Sequence, residues 1–254
     1  MSLLLWFLVS VLFVFGAVQA GFVLARHRRR RAEESKKGEG PIGSVVGSVL
    51  GLLAFLLAFT FSIAATRYEQ RKTLVMDESD AIEAAWLRAD FLPEPLRLQA
   101  KEILRTYTTE RANITPDPAA VLEVVRNAEK LQARLWEIVR AAVRSDAPPA
   151  LLALFIASVN LIIDLHSDRV TIGLQHRIPA MIWWCLAGLT FLAMAGVGYQ
   201  FGLAGRENIW VQSMLAISFS GVVWLIANLD DPMSSMRVSQ LPLIELAEKI
   251  ALPK

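Results

Sequence analysis

The stretch from Pro41 to Leu92 limits what this chain can fold into. Its first half, Ile42 to Ala65, carries no charge and is long enough to cross a bilayer as a helix. Its second half has no proline or glycine before Pro93, and its apolar residues keep helical spacing. Tyr68, Val75, Ile82, Trp86 and Ala89 fall on one face, while Asp77, Asp80, Glu83 and Asp90 fall on the other. The pattern predicts one long helix that spans a membrane and then continues into water.

Composition agrees with a chain divided between lipid and water. Of 254 residues, 54% are hydrophobic, too many for an ordinary soluble domain, yet 20% are charged, too many for a chain lying wholly in lipid. The formal net charge of +2 creates no global field for nucleic acid, so no nucleic-acid partner is expected. The single cysteine, Cys185, excludes an intrachain disulfide and lies in an apolar run, where it reads as core rather than as a nucleophile.

Three further apolar runs have spanning length. The first, Leu3 to Ala25, ends in RHRRRR. Val18-Gln19-Ala20 resembles a signal-peptide cleavage site, but the run is long and no positive charge precedes it, so it is read as a retained span. A basic loop, residues 26–40, follows, and its position beside a span suits lipid headgroups. Pro41 suits the first turn of the next helix. The last two spans are 179–201 and 209–229, with Trp183, Trp184 and Trp210 near their ends at headgroup depth. Gly43, Gly47 and Gly51 repeat every four residues in the second span and mark a helix-packing face, either against the first span or between copies of the chain. Gly198 and Gly202 offer another.

Between the spans, Leu96, Ala100, Ile103 and Tyr107 predict an amphipathic helix. Asp117 and Pro118 then start a second, whose Val124, Ala128, Leu131, Leu135, Ile138 and Ala142 form an apolar seam. A third begins after Pro149, and its uncharged part, Ala150 to Ile163, is short for a span and apt for a buried bundle helix. The expected fold is all-α, a four-span (2+2) helical membrane protein with a central water-exposed helical domain continuous with the second span. Its parts are 1–66, the first transmembrane pair; 67–177, the helical domain; 178–229, the second pair; and 230–254, an amphipathic C-terminal segment.

No catalytic constellation is present in the sequence, and neither an enzyme activity nor a cofactor is expected. There is no G-x-S-x-G, P-loop, dinucleotide fingerprint or Cys-x-x-Cys pair. Asp164, His166 and Asp168 form a D-x-H-x-D string, but only the two aspartates share a helix face, and a solvated polar face is the simpler reading. Arg67 and Arg71 lie four apart just beyond the second span, where they face lipid phosphates or, around an oligomer axis, form an anion vestibule. Phe55, Phe59 and Ser62 occupy the preceding turns, where aromatic rings suit either interhelical packing or a pore neck.

The segment VLGLLAFLLAFTFSIAATRYEQRKTLVMDESDAI resembles the second span of bacterial bestrophins, and LDDPMSSMRVSQLPLIELAEKI resembles the segment after their last span. A bestrophin-like bacterial family is similar over nearly the whole chain, through LAFTFS-x-A-x-x-R-Y-E, L-x-A-D-x-L-P-E-P and a C-terminal L-D-x-P. The resemblance implies a homo-oligomeric anion channel in a bacterial inner membrane, multi-pass and self-associating, with anions as the permeant species. Its second span would line the pore, Phe55 and Phe59 would be neck candidates, and Asp230 and Asp231 would align with an acidic cluster that binds calcium in animal members. The chain departs from that pattern at Tyr68, where bestrophins carry a Trp-Trp pair, and at Met233-Ser234, where they carry Phe-Gly. The positive-inside rule puts Arg26–Lys37 inside and residues 67–177 outside, opposite to the bestrophin orientation. The alternative function is a non-conducting membrane scaffold or sensor whose helical domain binds a partner.

Overall fold

The computed structural model describes residues 3–32, 42–115, 117–145, 147–175, 177–205, 208–234 and 236–251. Pro41, most of the basic loop and His176 lie outside the described residues. Among the described residues every regular element is helical: α1 (Leu3–Ala32), α2 (Ile42–Arg88), α3 (Leu96–Ala112), α4 (Pro118–Val143), α5 (Pro149–Val170), α6 (Ala180–Ala204), α7 (Ile209–Asp230) and α8 (Leu241–Ala251). A 3-10 turn, Ala89–Phe91, follows α2, and Leu92 is extended, as a residue before proline must be. Among the described residues, five helices are long and apolar enough to cross a membrane: α1, α2, α5, α6 and α7.

α2 is a single helix of 47 residues, as its unbroken periodicity requires. α1 runs further than the sequence suggests, because Arg26 to Ala32 continue the helix rather than opening a loop. Nothing in RHRRRRA breaks a helix, and cations favour the negative end of the helix dipole. Arg28 Nη1 donates to the Tyr199 hydroxyl at 3.1 Å. Asp117 caps α4 by accepting from Ala119 N, with Pro118 at the first helical position. Asn208 caps α7 through Val211 N, and Gly205, at φ 66°, ends α6 in the left-handed region.

The chain divides into two compact units. The first holds Met1–Thr66 and Arg177–Asp231, and the second holds Arg67–His176 and Pro232–Lys254. In the first, Val14, Ala17 and Val18 of α1 share a core with Leu53 and Leu57 of α2, Met194 of α6 and Ala216 and Ile226 of α7. Trp184 and Trp210 are exposed near helix ends, as interfacial indoles are. Cys185 is exposed on α6 and is not a core residue.

The close helix contact is made by glycines other than the Gly43, Gly47 and Gly51 repeat. A Cβ at Gly21 would overlap the Ala195 carbonyl, and one at Gly198 would overlap the Val18 carbonyl. Gly202 is closed off by Ala25 and Phe22. Backbone apposition of this kind drives association in lipid, where burial of apolar surface contributes little. At Gly47 and Gly51 a Cβ would meet nothing within 4 Å, and at Gly43 only Gln200 comes near. Packing of that repeat against the first span is therefore not how this chain uses it; contact between copies remains open to it. Gly198→Leu is expected to lower thermal stability in detergent sharply, because backbone must move. Gly47→Leu is expected to leave single-chain stability unchanged and to alter only the mass of any assembly. Equal melting losses in the two variants would contradict this division.

The second unit is a bundle around Ile82, Leu104, Leu135, Phe155 and Ile162. The predicted seam of α4 is its buried face, from Ala128 to Ala142. α5 contributes Leu152, Phe155, Val159, Ile162 and Leu165 to the same core. The C-terminal segment is not a separate appendage. Leu243, Leu246 and Ile250 of α8 are buried in this core, Ser79 Oγ donates to the Pro242 carbonyl, and Arg105 reaches the Ile250 carbonyl.

Candidate functional site

A helix turns about 100° per residue, so residues three, four and seven apart share a side. On α2, Val46, Leu53, Leu57, Thr60 and Ala64 are buried on one side. The opposite side presents Ser48, Gly51, Phe55, Phe59, Ser62 and Thr66, all exposed. Phe55 is 66% exposed and Phe59 59%. Small, hydroxylated residues flanking two phenylalanines make an unusual surface for an apolar helix, which ordinarily shows lipid a continuous aliphatic face. The stripe continues along the helix through Thr73, Asp77 and Asp80, with Glu69 and Gln70 at its edges, all exposed.

Arg67 and Arg71 do not belong to this stripe. Arg71 lies about 160° around the helix from Phe55 and is only 8% exposed, and Arg67 is half-buried. Arg71 follows the side of Val75 and Ile82, and Arg67 lies at the flank between that side and Phe59. The charges on the phenylalanine side are carboxylates.

A second polar constellation lies within the second unit and was not singled out from sequence. Glu78, fully buried on α2, is gripped by Arg111 of α3, whose Nε and Nη2 donate to its two oxygens at 3.0 and 3.2 Å. Arg169 of α5 also donates to Glu78 and, through Nη2, to Gln240 Oε1 at 2.9 Å. The Tyr107 hydroxyl donates to Glu78 at 2.7 Å and accepts from Gln132 of α4. Burial alone would raise the Glu78 carboxyl, but Arg169 and Arg111 override it and hold it down at about 2. Burial, then the Glu78 charge, pushes the Tyr107 phenol upward. His166 of α5 is also buried, and burial followed by the Arg111 charge depresses it to about 4. The expectation of a solvated Asp164-His166-Asp168 face is corrected to this extent: the two aspartates are exposed, while His166 points inward.

Asp230 and Asp231 have roles within the first unit. Both Asp230 oxygens accept from Ile178 N, at 3.0 and 3.2 Å, and Asp231 accepts from Arg177 at 3.4 Å. Among the described residues there is no group of three or more His, Cys, Asp or Glu side chains able to hold a metal ion. The second unit also carries a cleft of about 1040 Å³ beside Trp86, with Lys101, Arg105, Arg134 and Lys249 around it.

Comparison with known proteins adds a family and a fold. A family model described as a bestrophin-like domain matches residues 10–243. No curated protein sequence matches the chain. A bacterial Bestrophin homolog from Klebsiella pneumoniae, solved with a point mutation, is similar at TM-score 0.65 and 12% identity, over 98% of this chain and 98% of that one. Another variant of that homolog gives 0.66 and 13%, over 98% and 96%. A structure described as a membrane protein gives 0.67 and 12%, over 98% and 95%. At such identities the likeness is one of fold.

Proposed function

The chain belongs to the bestrophin-like family, and from that premise we propose that it assembles as a homo-oligomeric ion channel whose axial path is lined by α2. The observation that carries this reading is the exposed stripe of serine, glycine, threonine and phenylalanine on a helix that otherwise buries or greases its surface. Around an axis, Phe55 and Phe59 become apolar rings that resist hydration, and Ser62 and Thr66 provide polar steps beyond them. No catalytic step belongs to this function. The setting is a bacterial inner membrane crossed several times by each subunit.

In this reading α1, the uncharged part of α2, α6 and α7 cross the bilayer, and α5 does not. Residues 67–176 and 232–254 share one compact unit, so an even number of crossings separates them. α6 and α7 supply two; a crossing by α5 would make three. Cysteine labels at Asn113 and Glu245 should therefore react from the same side of the membrane. Labelling from opposite sides would make α5 a fifth span.

Ion choice follows the face. Asp77 and Asp80 stand on this face where the resemblance to anion channels calls for cationic side chains, and each would be repeated by every subunit. Rings of carboxylates concentrate cations and repel anions. Purified protein in liposomes under a potassium chloride gradient is expected to show a reversal potential on the potassium side. A potential on the chloride side would return the ion choice to anions. Absence of flux at either voltage sign would favour the scaffold reading, for which the cleft beside Trp86 offers a partner-holding surface.

A further inference from the structure

The buried cluster of the second unit carries an excess of positive charge. Among the described residues Glu78 from α2 is the one carboxylate paired with Arg111 from α3 and Arg169 from α5. Tyr107, Gln132 and Gln240 complete it and are neutral. Two guanidinium groups against one carboxylate leave one positive charge unmatched, in a place where Glu78 is fully buried and Arg111 nearly so. An uncompensated charge in a protein interior is strongly destabilising.

His166 stands beside this imbalance. It is 3% exposed, and neither ring nitrogen has a hydrogen-bond partner among the described residues. The charges acting on it are those of Arg111, Glu78 and Arg169. Asp164 and Asp168, on the same helix, are exposed and do not answer it. A buried imidazole without a partner forfeits the hydrogen bonds it would make in water.

We propose that His166, Arg111 and Arg169 form a binding site for a small monovalent inorganic anion such as chloride. One such ion accepts the imidazole N–H and a guanidinium N–H and cancels the excess charge. A water molecule would satisfy the imidazole but leave the charge; a divalent anion would reverse the imbalance. The bound ion would tie α3 to α5 around Glu78, at a point on α2 beyond its membrane-crossing part. The site is independent of whether α2 lines a conducting path.

The test compares thermal unfolding of detergent-solubilised protein in sodium chloride and in sodium gluconate at equal ionic strength. Chloride is expected to raise the melting temperature saturably, by about 4 °C at ten times its dissociation constant. His166→Phe, which keeps volume and removes the N–H, is expected to retain native helicity and to lose the chloride dependence. Equal melting in the two salts overturns the proposal, and so does a chloride effect undiminished in His166→Phe. Should that variant not fold, anomalous diffraction from wild-type crystals grown in bromide decides the matter. Bromide within hydrogen-bond reach of His166 and Arg111 supports the site; bromide elsewhere only, or none, overturns it.

Discussion

Acidifying the protein from pH 7 to pH 3 is expected to open the α3–α5 bundle of the second unit. Two groups drive the change, in adjoining windows. His166 titrates near 6.5 when unfolded and about 4 when folded, so between those values the unfolded chain takes the proton and the folded chain refuses it. Stability therefore falls as pH drops from 6.5 to 4, by about 3 kcal/mol in all, and no further below. Glu78 has a folded value of about 2 against 4.5, so its contribution is complete above 4.5 and is lost as pH falls from 4.5 towards 2. That loss is again about 3 kcal/mol when complete, which together with the first rivals the whole stability of a small domain. Hydrogen-exchange protection at Leu104, Leu135 and Ile162, measured in chloride-free buffer and corrected for the intrinsic pH dependence of amide exchange, should fall through both windows. His166→Phe should remove the upper window and keep the lower. A profile flat down to pH 4 in wild type would show that His166 is not buried neutral. Glu78→Gln should cost about 3–5 kcal/mol above pH 4.5, because two guanidinium groups then lose that carboxylate, and the cost should shrink as pH falls towards 2.

Periodicity carried most of the architecture. The run without proline or glycine from Ala54 to Leu92 is α2 almost to its end, and the alternating spacing in α4 is its buried face. Asp117-Pro118 marked the start of α4 because a cap and a proline have one geometric use there. The glycine repeat identifies a face without naming its neighbour, and within one chain that neighbour is not the first span. Gly21, Gly198 and Gly202 matter because two backbones approach there, and proximity between α1 and α6 is a tertiary fact.

The charged cluster had a legible signal. Glu78 lies in register with Val75 and Ile82, and Arg111 falls four residues after Tyr107 on the apolar side of α3. A charge at a core position requires a partner at another core position. Reading α2 and α3 separately as amphipathic helices left those exceptions unmatched. Arg67 and Arg71 illustrate the converse. Their spacing of four is plain, but the angle to Phe55 decides which side each serves, and it places Arg71 opposite and Arg67 at the flank.

Exchanging the charge on the phenylalanine side of α2 is expected to reverse ion preference. If that side lines the axial path, Asp77→Lys with Asp80→Lys turns repeated carboxylate rings into ammonium rings, and the reversal potential should move from the potassium side to the chloride side. The shift should be larger in 0.01 M salt, where the Debye length is about 30 Å, than in 1 M, where it is about 3 Å. Phe59→Ala tests a separate property. It removes an apolar ring without altering charge, so it should raise conductance and leave the reversal potential where it was. Arg71→Gln provides the control, since Arg71 lies about 160° around the helix from Phe55 and should leave selectivity unchanged. Should Arg71→Gln move the reversal potential while the aspartate exchange does not, the path runs along the other side of α2. The buried stripe from Leu53 to Ala64 would then have to open in the assembled protein, and the packing of the first unit would differ from that of the single chain.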